Sequence, residues 1–185
     1  MRRMDLHRMV ITAVLLAVGM VLPFLTGQIP ALGQLISPLH IPALICGLTC
    51  GPVWGALLGA VLPLLRSAVF GMPPLMPTGL AMAFELATYG LVSGLLYPVM
   101  LRLLRGRRLG GMLAALIIAM AAGRIVGGAA QAVILGFSGK TYSFSAFIAA
   151  YFTGTLAGAA IHLIVIPVIV LALEKAKVVP AKAQA

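Results

Sequence analysis

Long apolar runs, separated by short stretches rich in Gly, Pro or basic residues, dominate the 185-residue chain. About 20 apolar residues carry a helix across a hydrocarbon core about 30 Å thick, so runs of this length predict membrane-spanning helices. Six are predicted, over about 9–26, 36–50, 52–70, 78–104, 109–137 and 145–173. The second is short and carries Pro38 and Pro42. The expected fold is an all-α membrane protein, a six-transmembrane-helix bundle forming one integral membrane domain over residues 1–185. The opening stretch, MRRMDLHRMVITAVLLAVGMVLPFL, has the basic-then-apolar layout of a signal peptide. Its apolar run is long and lacks a clear A-x-A site, so it reads as an uncleaved first helix.

The second and third runs pose a question of count, and charge answers it. Arg2, Arg3 and Arg8 lie near the start; Arg102, Arg105, Arg107 and Arg108 form a cluster; Lys175, Lys177 and Lys182 form another. Six passes put all three groups on one side of the membrane, whereas five would split the first from the second. The positive-inside rule therefore favours six passes with the N- and C-termini cytoplasmic. CGPVWG, Cys50 to Gly55, then becomes a tight cytoplasmic turn, for which Gly51 and Pro52 are suited. On the other side fall three connections: Gly27 to Pro42, Gly71 to Pro77 and Ser138 to Ser143. The first two are rich in Gly and Pro, which suits either a lid over a binding site or simply constrained loops. Small residues repeat at a spacing of four in Gly51, Gly55 and Gly59, in Gly90 and Gly94, in Gly123 and Gly127, and in Gly154 and Gly158. Such faces let helices approach closely and predict a compact bundle.

Composition narrows the function classes. The chain is 62% hydrophobic and only 9% charged, with mean hydropathy +1.15, where a soluble domain carries about 25% charged residues. The formal charge of +10 belongs to topology rather than nucleic acid, since no soluble basic domain exists to hold one. Cys46 and Cys50 have no neighbouring ligands and read as small buried apolar side chains. No metal cluster or cofactor is expected.

The chain has three acidic residues, and Glu85 is the one placed inside an apolar run. Arg66 and Arg124 also fall inside runs. A charge at the bilayer centre costs about 2.5–3.5 kcal/mol on insertion scales, so each needs a reason. Counting about 1.5 Å per residue puts Arg66 and Arg124 about 22 Å above the cytoplasmic side and Glu85 about 10 Å below the outer one. The three converge in the outer half. Spacings of three and four add Thr88 and Tyr89 beside Glu85, Gly128 and Gln131 beside Arg124, and Tyr151, Thr155, Gly158 and His162 on the last run. A polar pocket is expected, built from Arg66, Glu85, Tyr89, Arg124, Gln131 and Tyr151, closed from above by His40. His162 lies deeper and suits packing. Either Glu85 pairs with one of the arginines to fix helix register, or it touches a ligand. One acid cannot neutralise two arginines, and the remaining charge of about +1 suits an anionic ligand such as a carboxylate.

An enzyme is disfavoured. Ser93 and His162 are a formal Ser/His pair, but GLVSG has the wrong spacing for a nucleophile elbow. A stand-alone proton-coupled carrier for a small organic anion is the alternative, because a lone membrane Glu can relay protons; no inverted repeat supports it.

The run LHIPALICGLTCGPVWGALLGAVLPLLRSAVFGMPPLMPTGLAMAFELATYGLVSGLLYP, Leu39 to Pro98, resembles the substrate-binding S component of energy-coupling factor (ECF) vitamin transporters. The likeness extends across the chain in its length and layout. It implies a six-helix bundle in the bacterial cell membrane that captures a water-soluble vitamin at its outer side. It also implies docking on a transmembrane coupling protein driven by two cytoplasmic ATPase subunits, and toppling of the S component to release its load. The family docks through an A-x-x-x-A motif on the first helix, which AVLLA supplies here as Ala13 and Ala17. The chain itself has no phosphate-binding G-x-x-x-x-G-K-[ST] loop, so hydrolysis falls to partners. The central run most resembles pantothenate-type S components, and the carboxylate of pantothenate suits the excess arginine; cobalamin, thiamine and other vitamins remain open.

Overall fold

The computed structural model describes residues 3–26, 36–139 and 143–179, and no strand occurs among them. Among the described residues seven α-helices follow one another: α1 (Arg3–Val21), α2 (His40–Cys50), α3 (Pro52–Phe70), α4 (Leu80–Leu103), α5 (Arg108–Phe137), α6 (Phe144–Tyr151) and α7 (Leu156–Lys175). Five helical stretches among the described residues are long and apolar enough to cross a membrane, with α6 and α7 counted as one stretch.

The second predicted span differs most from expectation. Its helix has 11 residues, and every one is buried. At about 1.5 Å per residue it rises only about 16 Å, half of a hydrocarbon core. Its place is the centre of the bundle. Ile41, Leu44, Ile45 and Leu48 face α4, α5 and α7 through Tyr89, Met112, Leu116 and Ile166. Ala43, Cys46 and Cys50 face α3 through Leu58 and Leu62. Both cysteines are free and buried, as an apolar role requires. Gly51 links α2 to α3 at φ 102°, a conformation that favours glycine, and Pro52 opens α3 where its missing N–H costs nothing. The predicted turn is thus present.

The last predicted span is also not one helix. Chain direction breaks at Thr153–Thr155, a 3-10 turn between α6 and α7. The Thr155 hydroxyl donates to the Tyr151 carbonyl at 2.9 Å. This side-chain bond competes for a helix acceptor, and Gly154 beside it adds backbone freedom.

Glycines set the spacing of the layers. A Cβ on Gly55 would stand 2.7 Å from the Gly47 Cα and the Gly90 carbonyl, so α2, α3 and α4 meet backbone to backbone there. A Cβ on Gly94 would come within 2.6 Å of the Pro52 Cα. The small-residue faces therefore pack within the chain, as predicted from their spacing.

Contacts also order the two ends of the bundle. At one end, His7 Nε2 bonds the Val178 carbonyl at 2.8 Å. Arg108 donates to Glu174 at 3.4 Å at the same end, so the starts of α1 and α5 and the end of α7 lie together. At the opposite end, Arg66 of α3 donates to the Met20 carbonyl of α1. α1, α3 and α5 thus run away from the basic end, and α2, α4 and α7 return to it.

Candidate functional site: a buried polar cavity

A cavity of about 580 Å3 opens at the end of the bundle away from the basic cluster. Its walls come from α3, α4, α5, α6 and α7, the first turn of α2 and the segment after α3. This volume suits a small organic molecule, for which pockets run about 300–1,000 Å3. All seven residues proposed from the sequence to bind substrate line it: His40, Arg66, Glu85, Tyr89, Arg124, Gln131 and Tyr151.

Helical spacing delivers them in pairs. Glu85 and Tyr89 are one turn apart on α4, and the Tyr89 hydroxyl donates to Glu85 Oε1 at 2.7 Å. Both are buried, at 6% and 2% exposure. The α5 face opposite is glycine: a Cβ on Gly127 would reach 2.8 Å from the Glu85 Cβ. Only a missing side chain lets α4 seat its carboxylate there. Arg124 and Gln131 are two turns apart on α5. Arg124 donates from Nη2 to the Thr155 carbonyl at 3.2 Å, which ties α5 to the break before α7. The Gln131 side-chain oxygen accepts from the Tyr151 hydroxyl at 2.7 Å, tying α5 to α6. Gly128 between them leaves the room expected of it, and the Phe147 ring fills it.

The partner of Glu85 is a histidine rather than an arginine. His40 Nε2 stands 3.5 Å from Glu85 Oε1. Its Nδ1 lies 2.9 Å from the Ser37 carbonyl, which only accepts, so Nδ1 carries a hydrogen. The expected register-fixing pair with Arg66 or Arg124 is absent from the ion pairs of the described residues. Arg66 instead reaches the end of α1. It donates to the Met20 carbonyl, and its guanidinium carbon lies 5.1 Å from the ring centroids of both Phe24 and Phe70.

Other expectations change in detail. His162, assigned to packing, lines the cavity and bonds the Ile36 carbonyl at 3.1 Å. Its ring lies 5.8 Å from that of His40. Thr88 leaves the site, because its hydroxyl donates back to the Phe84 carbonyl at 2.8 Å. Ser93 is occupied with the Gly90 carbonyl and does not pair with His162. Of the two connections expected to be either lids or constrained loops, Met72, Pro73 and Pro74 of the second line the cavity, as do Ser37, Pro38 and Leu39 of the first, whereas residues 27–35 lie outside the described residues. Of the third connection, residues 140–142 also lie outside. No group of three potential metal ligands occurs among the described residues.

The cavity therefore holds two buried guanidinium groups, Arg66 and Arg124 at 3% and 9% exposure, against the single carboxylate of Glu85.

A family model described as "ECF transporter, substrate-specific component" matches residues 7–174. The chain belongs to this family. No curated protein and no solved structure matches it. ECF substrate-specific (S) components bind a small molecule and work with an ECF module in the membrane; they are transporter parts, not enzymes. In this S component the basic end and the cavity lie at opposite ends of the bundle. On α1, Ala13 and Ala17 are exposed together with Val10, Val14 and Val18. The other face of α1 packs inward, with Gly19 close against Leu62 and Pro42.

Proposed function

We propose that this S component captures a water-soluble vitamin carrying a carboxylate, pantothenate first among the candidates, in the polar cavity, and hands it to a transmembrane coupling protein driven by two cytoplasmic ATPase subunits. The observation that carries the ligand class is the pair of buried arginines facing one carboxylate across a 580 Å3 space. In this reading Arg124 and Arg66 meet the ligand carboxylate, Gln131, Tyr151 and Tyr89 supply polar contacts, and Glu85 with His40 takes up ligand hydroxyl or amide groups.

We infer six passes with both termini cytoplasmic in a bacterial plasma membrane, and one membrane domain over residues 1–185. The alternation of helix directions supports this, with α2 as the short return leg. So does the His7–Val178 contact, which brings the first and last helices to one end. The basic clusters at that end support a cytoplasmic side by the positive-inside rule, and in this reading the cavity faces outward. Met72–Pro74 then act as part of its cover. Docking falls to Ala13 and Ala17, whose small exposed side chains admit a partner helix closely.

Native mass spectrometry of the purified chain tests the ligand: a bound pantothenate supports the reading, and a different bound molecule replaces it. Ala13→Trp tests the docking face. The variant is expected to bind ligand normally and to lose ATP-driven uptake; normal uptake contradicts the assignment. The alternative of a stand-alone proton-coupled carrier rests on Glu85 lying beside His40 within the bundle. It predicts uptake by this chain alone in vesicles, without ATPase subunits.

A further inference from the structure

Arg66 touches two things at once. It lines the cavity, and it holds the end of α1. Nη1 donates to the Met20 carbonyl. The guanidinium carbon stands 5.1 Å from the Phe24 ring, just past α1, and 5.1 Å from the Phe70 ring at the end of α3. The two rings meet edge to face at 5.0 Å, so cation and rings form one compact triangle. The neighbouring residue repeats the theme on the other side, where the Ser67 hydroxyl donates to the Pro73 carbonyl of the segment covering the cavity. The last turn of α3 thus fastens both the end of α1 and the cover.

A guanidinium has five N–H donors in a rigid planar fork. One bond to Met20 leaves others for a ligand, and engaging them fixes the plane of the same group that grips α1. Resting on the reading that the cavity takes a carboxylate, we propose that Arg66 is a coupling residue: a ligand anion on its remaining donors tightens its hold on Met20 and Phe24, so that occupancy of the cavity stiffens the outer end of α1. That helix also carries Ala13 and Ala17, on its exposed face. Loading of the cavity is thereby transmitted to the docking helix through a single side chain.

Amide hydrogen exchange on the full chain in detergent tests this in two arms. Without ligand, Arg66→Gln is expected to speed exchange at residues 18–24 about tenfold or more, the equivalent of one charged hydrogen bond. Unchanged exchange overturns the proposal whatever the ligand is. With saturating pantothenate as the probe, the wild-type chain is expected to slow exchange both at 18–24 and across the cover, 72–80. Phe24→Leu keeps Arg66 and loosens its grip on α1. It is expected to retain the slowing at 72–80 and lose most of it at 18–24. Equal slowing at 18–24 in that variant, or slowing at 72–80 alone in the wild type, overturns the coupling. No slowing anywhere in the wild type refutes pantothenate as the ligand instead, and the ligand-free arm still decides the hold of Arg66 on α1.

Discussion

Gly127→Ala places a single methyl group at the point where α5 makes room for Glu85. The added carbon would stand 2.8 Å from the Glu85 Cβ, 3.1 Å from Tyr151 Cε1 and 3.2 Å from the Glu85 Cγ. Carbon contacts settle near 3.5–4.0 Å, so α4 and α5 must part by about 0.7 Å at this level or Glu85 must leave its rotamer. The Glu85 Cβ is bonded directly to a helix backbone held by the close crossing of Gly90 on Gly55, so the neighbour gives little. Overpacking of this kind costs about 1–3 kcal/mol. In a chain of this size each kcal/mol lowers Tm by about 2–4 °C. The same shift disturbs the 2.7 Å Tyr89–Glu85 bond, a charged hydrogen bond worth about 1.5–3 kcal/mol, so ligand affinity should fall about tenfold or more. Gly136→Ala is the matched control on the same helix, where a Cβ meets nothing within 4 Å. It should be neutral or gain up to about 1 kcal/mol from helix propensity. Thermal unfolding in detergent and calorimetric titration read both variants. Equal behaviour of the two refutes the claim that the glycine at 127 seats the carboxylate.

Gly90→Leu should yield no stable protein, because its Cβ would run into the Gly55 backbone, 2.7 Å from the Gly55 Cα, and neither helix can yield; a monodisperse, cooperatively melting variant on size exclusion and heating would contradict this. Arg108→Ala should lower stability by about 1–3 kcal/mol, since it strips the 3.4 Å contact from Glu174, whose side chain is only 6% exposed; an unchanged Tm would show that this contact contributes nothing at the basic end.

Depth along each run was legible in the sequence, because rise per residue is fixed and charges inside apolar runs are rare. That arithmetic brought Arg66, Glu85 and Arg124 to one level, and the cavity lies there. Rotation about each helix axis was not legible to the same degree. It decides that Glu85 meets His40, and that Arg66 turns toward Met20 and Phe24 instead of the acid. Helical spacing put Thr88 beside Glu85, yet its hydroxyl is satisfied by its own helix. The burial of α2 was hidden for a different reason: a helix packed on all sides by protein and one facing lipid are both apolar. Only the shortness of the run over about 36–50, with Pro38 and Pro42 in it, hinted at the difference. The break at Thr153–Thr155 had a local signal in Thr-Gly-Thr, masked by the apolar residues around it. His162 was set aside on depth alone, although the break lifts α7 into a position where its ring meets that of His40.

The role of the cavity turns on whether its two buried arginines serve an anionic ligand. Equilibrium binding of radiolabelled pantothenate to the purified wild-type chain and to Arg124→Ala, both shown folded by their melting curves, tests this directly. Saturable binding by the wild type, weakened about 30-fold or more in the variant as expected for a lost buried charge contact, is the predicted result. Undiminished affinity in a folded Arg124→Ala would contradict it.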